Sequence, residues 1–296
     1  MQSKLFQDLE EDSSVNRSIP FKTQLLKWVG NKQRFAHEII SFFPERFNTY
    51  YEPFLGSAAV LGTLAPCKGI GGDTLKPLSE IWRSVIENPK DVAEWYENRF
   101  DMIGQLGKEK AYEAVKASYN QQPNAADFLF ISRTCYGGVL RFRKVDGYIS
   151  TPCGVHDTVS PESFRRRLGI WHARLKNSVV YHADFEELFR MVKKGDMVYC
   201  DPPYSHTQSI LYGAQSFSLE RLFRAIAQAK EKGAYVALSI DGSKKSGNLI
   251  CRIDVPKGLF KREVSVNCGR SMLRRFQLKD RTLEDEVVSD RLLLTW

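Results

Sequence analysis

Asp201-Pro202-Pro203-Tyr204 places a carboxylate, two prolines and an aromatic ring in one tetrapeptide, a combination that can act on a nucleobase amino group. Consecutive prolines hold φ near about −65° and lack backbone donors, so the turn is stiff and presents its carbonyls in a set direction. An adenine amino group is a poor nucleophile because its lone pair is delocalised into the ring. If the Asp201 carboxylate and the Pro202 carbonyl accept its two N–H hydrogens, the nitrogen moves toward sp³ geometry and the lone pair is freed to attack an electrophilic methyl group. The same acceptors stabilise the positive charge that develops on nitrogen, and Tyr204 can stack on the purine. The bland alternative is an ordinary Pro-Pro turn after a strand.

Other residues upstream suit a ligand. Tyr51-Glu52-Pro53-Phe54-Leu55-Gly56-Ser57-Ala58 reads as a glycine turn after a strand, where a small residue lets a ligand approach the backbone closely. Lys27-Trp28-Val29-Gly30-Asn31-Lys32 offers an aromatic face and a cation, or is simply a helix start. Asp73, at the end of a second strand, stands where a carboxylate can bind ribose hydroxyls, and equally where a cap residue is common.

The elements that must position these groups alternate. A helical pattern over residues 32–43 stops at Pro44; a strand over 49–54 runs into the glycine turn, and a helix follows at 58–64. A strand at 69–73 and a helix at 77–86 come next. From residue 88 to about 175 the alternation is lost, with helical patterns at 91–102 and 109–119 preceding a Gly- and Arg-rich aromatic stretch. It resumes with a strand at 179–182, a helix at 185–192, a strand at 197–200 ending on Asp201, a helix at 219–230 and a strand at 235–240. Residues 262–266 and 291–296 are expected to form a terminal hairpin. The expected fold is α/β, a doubly wound, mainly parallel sheet with ligands beyond the carboxyl ends of its strands, and an inserted, mainly helical domain. The division is a flexible tail at 1–19, a catalytic domain from 20–87 and 176–296, and an insert at 88–175.

The chain has 296 residues, 43% hydrophobic and 26% charged, with a net charge of +8. No apolar run spans a bilayer, and Asp8, Glu10, Glu11 and Asp12 argue against a signal peptide, so a cytoplasmic location is expected. The six cysteines include no C-x-x-C pair, so neither zinc nor a disulfide framework is indicated and no metal is expected. Charge is clustered: residues 133–176 carry nine basic and three acidic side chains, and residues 244–281 eleven and three. Interleaved with Tyr136, Phe142, Tyr148 and Phe276, these stretches suit nucleic acid; solvated surface is the alternative.

The order of the Trp28–Lys32 segment, Glu52-Pro53-Phe54-Leu55-Gly56-Ser57, a variable insert and Asp201-Pro202-Pro203-Tyr204 resembles the α-class, Dam-like adenine-N6 DNA methyltransferases. Within the insert, Arg133-Thr134-Cys135-Tyr136-Gly137-Gly138-Val139-Leu140-Arg141-Phe142-Arg143, then Gly147 and Pro152-Cys153-Gly154, looks like that family's target-recognition segment. The resemblance spans about residues 22–296. It implies a Rossmann-like domain that uses S-adenosyl-L-methionine and leaves S-adenosyl-L-homocysteine. Trp28 and Lys32 would contact the cofactor's methionine end and adenine, Phe54, Gly56 and Ser57 would line its pocket, and Asp73 would hold the ribose. Asp184 would lie near the cofactor's adenine or serve as a helix N-cap, and Asp201 would face both cofactor and target. The sequence departs from the family at Ala58 and Gly137, where glycine and often asparagine are usual, and at Leu75, where asparagine is.

The expected partner is double-stranded DNA, with the target base flipped out of the stack. Arg133, Arg141 and Arg143 are the candidates for reading base edges and Tyr136 for a DNA contact, while Arg165-Arg166-Arg167 touch phosphates or form an exposed helix face. A monomer is expected, either an orphan or the companion of a separate restriction endonuclease. Rival readings are an RNA adenine-N6 or DNA cytosine-N4 methyltransferase, Asp in the first tetrapeptide position favouring adenine, and a DNA-binding module without catalysis.

Overall fold

The structure, a computed structural model, describes residues 20–143, 145–203, 217–240, 254–267 and 289–296. Seven strands form one sheet: β1 (Tyr50–Glu52), β2 (Gly69–Asp73), β3 (Ser178–His182), β4 (Met197–Cys200), β5 (Tyr235–Ile240), β6 (Arg262–Asn267) and β7 (Ser289–Leu294). Their order is β3-β2-β1-β4-β5-β7-β6. The first five run parallel, while β7 is antiparallel to both β5 and β6. The terminal hairpin read from the sequence is present.

Alternation along each strand feeds two apolar cores, one on each face of the sheet. Tyr50, Met197, Tyr199, Ala237 and Leu294 join one cluster; Tyr51, Val198, Cys200, Val236 and Leu293 join the other. In β2, Gly71 and Gly72 let Leu55 and Leu188 press onto the strand, where an added Cβ would meet their side chains at 2.9 and 2.7 Å. The first core is covered by α1 (Ala36–Ser41), α2 (Ala59–Leu64) and α3 (Lys76–Glu87), whose Leu78, Ile81, Trp82 and Val85 recur at helical spacing and are fully buried.

Between α3 and β3 lie α4 (Pro89–Leu106), α5 (Lys108–Gln121), α6 (Ala125–Thr134) and α7 (Pro161–Leu175), whose apolar side chains continue that first core. The last of these packs beside α2 and α3: Trp171 lies 4.9 Å from Trp82, ring centre to ring centre, and the Arg174 guanidinium donates to the Gly62 and Thr63 carbonyls. The second core is covered by α8 (Phe185–Met191) and α9 (Leu219–Glu231). Strand order reverses between β1 and β4, so a crevice opens beyond their carboxyl ends, where this architecture binds ligands.

Candidate active site

The crevice is lined by the turn after β1, the end of β2, the start of α8, the turn after β4 and the segment before α1, and holds about 990 Å³, open solvent at its mouth included. Trp28, Lys32, Phe54, Gly56, Ser57, Asp73, Asp184 and Asp201 all line it, together with Pro203. Pro202 is buried beside them. Tyr204 lies outside the described residues, as do the tail 1–19, Phe276 and most of the second basic stretch.

Gly56 organises one wall. Its φ of +46° is a left-handed conformation that glycine adopts without strain, and an added Cβ would meet the indole Nε1 of Trp28 at 3.1 Å. The Gly56 N–H donates to the Asp73 carboxylate (3.0 Å), and the Gly56 carbonyl accepts from Trp82 Nε1 (2.8 Å). Asp73 also accepts from the Leu75 N–H (2.9 Å), so both of its oxygens are oriented. Burial raises the Asp73 carboxyl's pKa against the pull of those backbone donors.

On the opposite wall the Lys32 ammonium stands 3.3 Å from the Asp201 carboxylate, with side chains only 8% and 18% exposed. Glu52 lies nearby at the end of β1. Its Oε2 accepts from the Tyr50 hydroxyl (2.8 Å) and the Leu61 N–H (2.7 Å). Burial pushes the Glu52 carboxyl up to about 8, and Asp201 adds to the rise.

At the far end Phe54 stacks on Phe185 (5.3 Å between ring centres) and meets Phe217 edge-on (5.7 Å). Asp184 is a helix N-cap and also lines the cleft. It caps α8 by accepting from the Glu186 N–H, Glu187 closes the capping box, and the same carboxylate faces the cleft, paired with Arg221 at 3.0 Å. Glu52, Leu75, Phe185, Tyr199 and Phe217 line the cleft as well. Phe185, Tyr199 and Phe217 look like core in the sequence, Glu52 stands out only as part of the turn, and Leu75 only as a departure from the family.

The target-recognition candidates part company. The segment 135–153 is closed at its base by an antiparallel pairing of Cys135 with Cys153, and Phe142 pairs with Ile149 further out. Tyr136, Arg141 and Arg143 are exposed on it, and Val145 at its tip is 97% exposed. Arg143 forks onto Asp146 and lies over the Tyr148 ring. Arg133 corrects the expectation of a base reader. It is only 5% exposed, and its guanidinium donates to the Leu25 carbonyl (2.6 Å) and the Gln24 carbonyl (3.4 Å). With Arg167 on Gln24 and Trp171 and Gln33 on the Thr23 carbonyl, it clamps the strand of chain that leads to Trp28. In the arginine run, Arg165 pairs with Glu97 and Arg166 with Ser163.

A model of the D12 class N6 adenine-specific DNA methyltransferases matches residues 28–256. The chain belongs to this family. The methyltransferase is 26% identical over 249 residues to the Type II methyltransferase M1.LlaDCHI of Lactococcus lactis subsp. cremoris, covering 78% of this chain and 85% of that one. Against the DNA adenine methylase of Haemophilus influenzae it is 25% identical over 226 residues, 73% and 77% of the two chains. Against the DNA N-6-adenine-methyltransferase of Escherichia phage P1 it is 23% identical over 245 residues, 79% of this chain but 32% of the phage protein, so it spans about a third of that relative. Membership makes the methyltransferase an adenine-specific DNA enzyme by family, in place of the RNA and cytosine alternatives.

Proposed function

We propose that the cleft binds S-adenosyl-L-methionine and that Asp201, with the Pro202 carbonyl, holds the N6 amino group of a flipped-out adenine for methyl transfer. The observation that carries this is the convergence of Trp28, Gly56, Asp73, Asp184 and Asp201 on one crevice at the strand-order reversal. The groups present fit such a ligand. The Phe54, Phe185 and Phe217 rings suit a purine, the carboxylates suit hydroxyls and a cationic centre, and Gly56 leaves room against the indole.

When bound, the cofactor supplies an electrophilic methyl group on a sulfonium. The chain's own residues do the rest. Asp73, oriented by two backbone N–H groups, presents free lone pairs to ribose hydroxyls. Lys32 fixes the direction of the Asp201 carboxylate and balances its charge. Asp201 then accepts from the amino group and stabilises the charge growing on nitrogen. Tyr204 is the proposed stacking partner of the base.

An adenine within a duplex is out of reach, so the base must leave the stack. Residues 88–175 are the proposed target-recognition domain, with Tyr136, Arg141 and Arg143 on its exposed segment as the DNA contacts. The Type II name of the Lactococcus lactis relative supports a separate endonuclease acting on the same site, an orphan enzyme being the alternative, and a cytoplasmic, nucleoid-associated place goes with this reading. Among the described residues no helix is long and apolar enough to cross a membrane.

The test is transfer of a labelled methyl group from S-adenosyl-L-methionine to duplex DNA, with RNA and unmethylatable duplex as controls. Single-molecule sequencing of DNA from a host expressing the chain reports base, position and motif together. Label in RNA, or on cytosine, would overturn the proposal.

A further inference from the structure

Cys135 and Cys153 sit directly opposite each other where the segment 135–153 begins and ends. The hydrogen bonds that frame them run from the Tyr136 N–H to the Pro152 carbonyl (2.9 Å) and from the Gly154 N–H to the Thr134 carbonyl (2.8 Å). Those bonds flank the two cysteines without joining them, so they form the non-hydrogen-bonded kind of antiparallel pair, in which Cα atoms lie about 4.5 Å apart and side chains leave the same face. The backbones are close: a Cβ on Gly154 would fall 2.9 Å from the Thr134 carbonyl and 2.8 Å from that of Cys135. A disulfide needs Cα atoms about 4.4–6.8 Å apart, which this pairing supplies.

Both thiols are free. The side-chain contacts of both sulfurs are weak ones to backbone, the Ser132 carbonyl and the Gly138 N–H for Cys135 and the Gly154 carbonyl for Cys153, the two carbonyls at 3.7 Å. Cys153 is half-buried and meets solvent; Cys135 is buried.

We infer that Cys135 and Cys153 are a thiol pair that hydrogen peroxide converts reversibly to a disulfide, stapling the base of the segment that carries Tyr136, Arg141 and Arg143. The Cys153 thiolate attacks one peroxide oxygen, the O–O bond breaks, and hydroxide leaves to give a sulfenic acid. Cys135 sulfur then attacks the Cys153 sulfur; the S–S bond forms, the S–O bond breaks, and the departing hydroxide takes the Cys135 proton as water. Two thiols lose two protons and two electrons, and peroxide becomes two waters. Burial pushes the Cys135 thiol up to about 12 and raises that of Cys153, while Lys27 and Lys108 pull the respective thiols the other way. The reaction is therefore slow at neutral pH and faster in alkali.

The consequence for DNA rests on reading this segment as the target-recognition element; the disulfide does not. Full-length protein is treated with hydrogen peroxide, remaining thiols are alkylated, and unreduced peptides are examined by mass spectrometry alongside duplex binding. The expected result is a Cys135–Cys153 linked peptide that dithiothreitol abolishes, with duplex affinity falling several-fold and recovering on reduction. Cys153→Ser should give no linked peptide and keep its affinity after peroxide. Oxidation of Cys153 to sulfinic acid, or a link to Cys67 instead, would overturn the pair. A linked peptide with unchanged affinity would leave the pair standing and overturn its effect on DNA binding.

Discussion

Lys32 and Asp201 meet at the cleft, an ammonium from the chain before α1 paired with a carboxylate from the turn after β4 at 3.3 Å. Both are largely shielded from water, so the pair couples more strongly than an exposed ion pair would. It ties the segment before α1 to the turn after β4 through the residue proposed to hold the target amino group.

Asp201→Ala should therefore lower single-turnover methyl transfer at least ~10²-fold with saturating cofactor and DNA, while duplex affinity survives. Lys32→Met should lower it less. In the double variant the loss should be no greater than in Asp201→Ala alone, because the cation works through the carboxylate. Additive losses would give Lys32 a separate role in the cleft.

Glu52 makes stability depend on pH. Its carboxyl rises from 4.5 to about 8 on folding, so between those values the native protein holds a proton that the unfolded chain releases. Stability from this group is complete at the acid end and is lost as pH rises through about 8. Glu52→Gln keeps an oxygen for Tyr50 and Leu61 and carries no charge, so its melting temperature should fall less across that range. Parallel melting curves for the two proteins would remove Glu52 as the cause.

Ala58 and Ala65, at the two ends of α2, have positive φ, 53° and 48°. A left-handed alanine costs about 1–2 kcal/mol. Ala65→Gly, at the helix C-cap, should stabilise by up to about 1 kcal/mol in denaturant titration. Ala58→Gly should change little, because its fully buried methyl group contributes about as much packing as the strain removes. Equal gains at both sites would show that the Ala58 methyl packs poorly.

Arg141 and Arg133 should separate cleanly. Arg141→Ala is expected to cost about 1–3 kcal/mol on the preferred site and little on other sequences. Methylation of duplexes that differ by single base pairs reads that difference, and an equal loss on all of them would make Arg141 a phosphate contact. Arg133→Ala should instead cost about 1–3 kcal/mol of folding stability, because the buried Leu25 carbonyl is left unpaired while Arg167 still reaches that of Gln24. Unchanged melting would return Arg133 to the surface.

The strands of the parallel sheet were legible because short runs end on residues of distinct chemistry: Met197–Cys200 on Asp201, where the proposed catalytic turn begins, and Gly69–Gly72 on Asp73. Helix α6 was not, and α7 showed only as a possible helix face at its arginine run. In α6 every side chain from Asp127 to Thr134 is buried, so the sequence shows no polar face and no helical period. In α7 an arginine run masked the stripe of Phe164, Leu168, Trp171 and Leu175. Arg133 misled because arginine is seldom buried, and only a fold can reveal the carbonyls that compensate it. Phe185 and Phe217 reach the cleft only through the meeting of α8 with the segment before α9, which no local pattern encodes.

The contact between Trp28 and Gly56 has an optical consequence. The indole edge forms part of the cleft wall, whereas Trp82 and Trp171 are sealed in the core. Filling the cleft changes the polarity around one of the five tryptophans, while Trp82, Trp95, Trp171 and Trp296 are not part of its lining. Occupancy of the site can then be followed by light in the unlabelled protein, separately from any turnover.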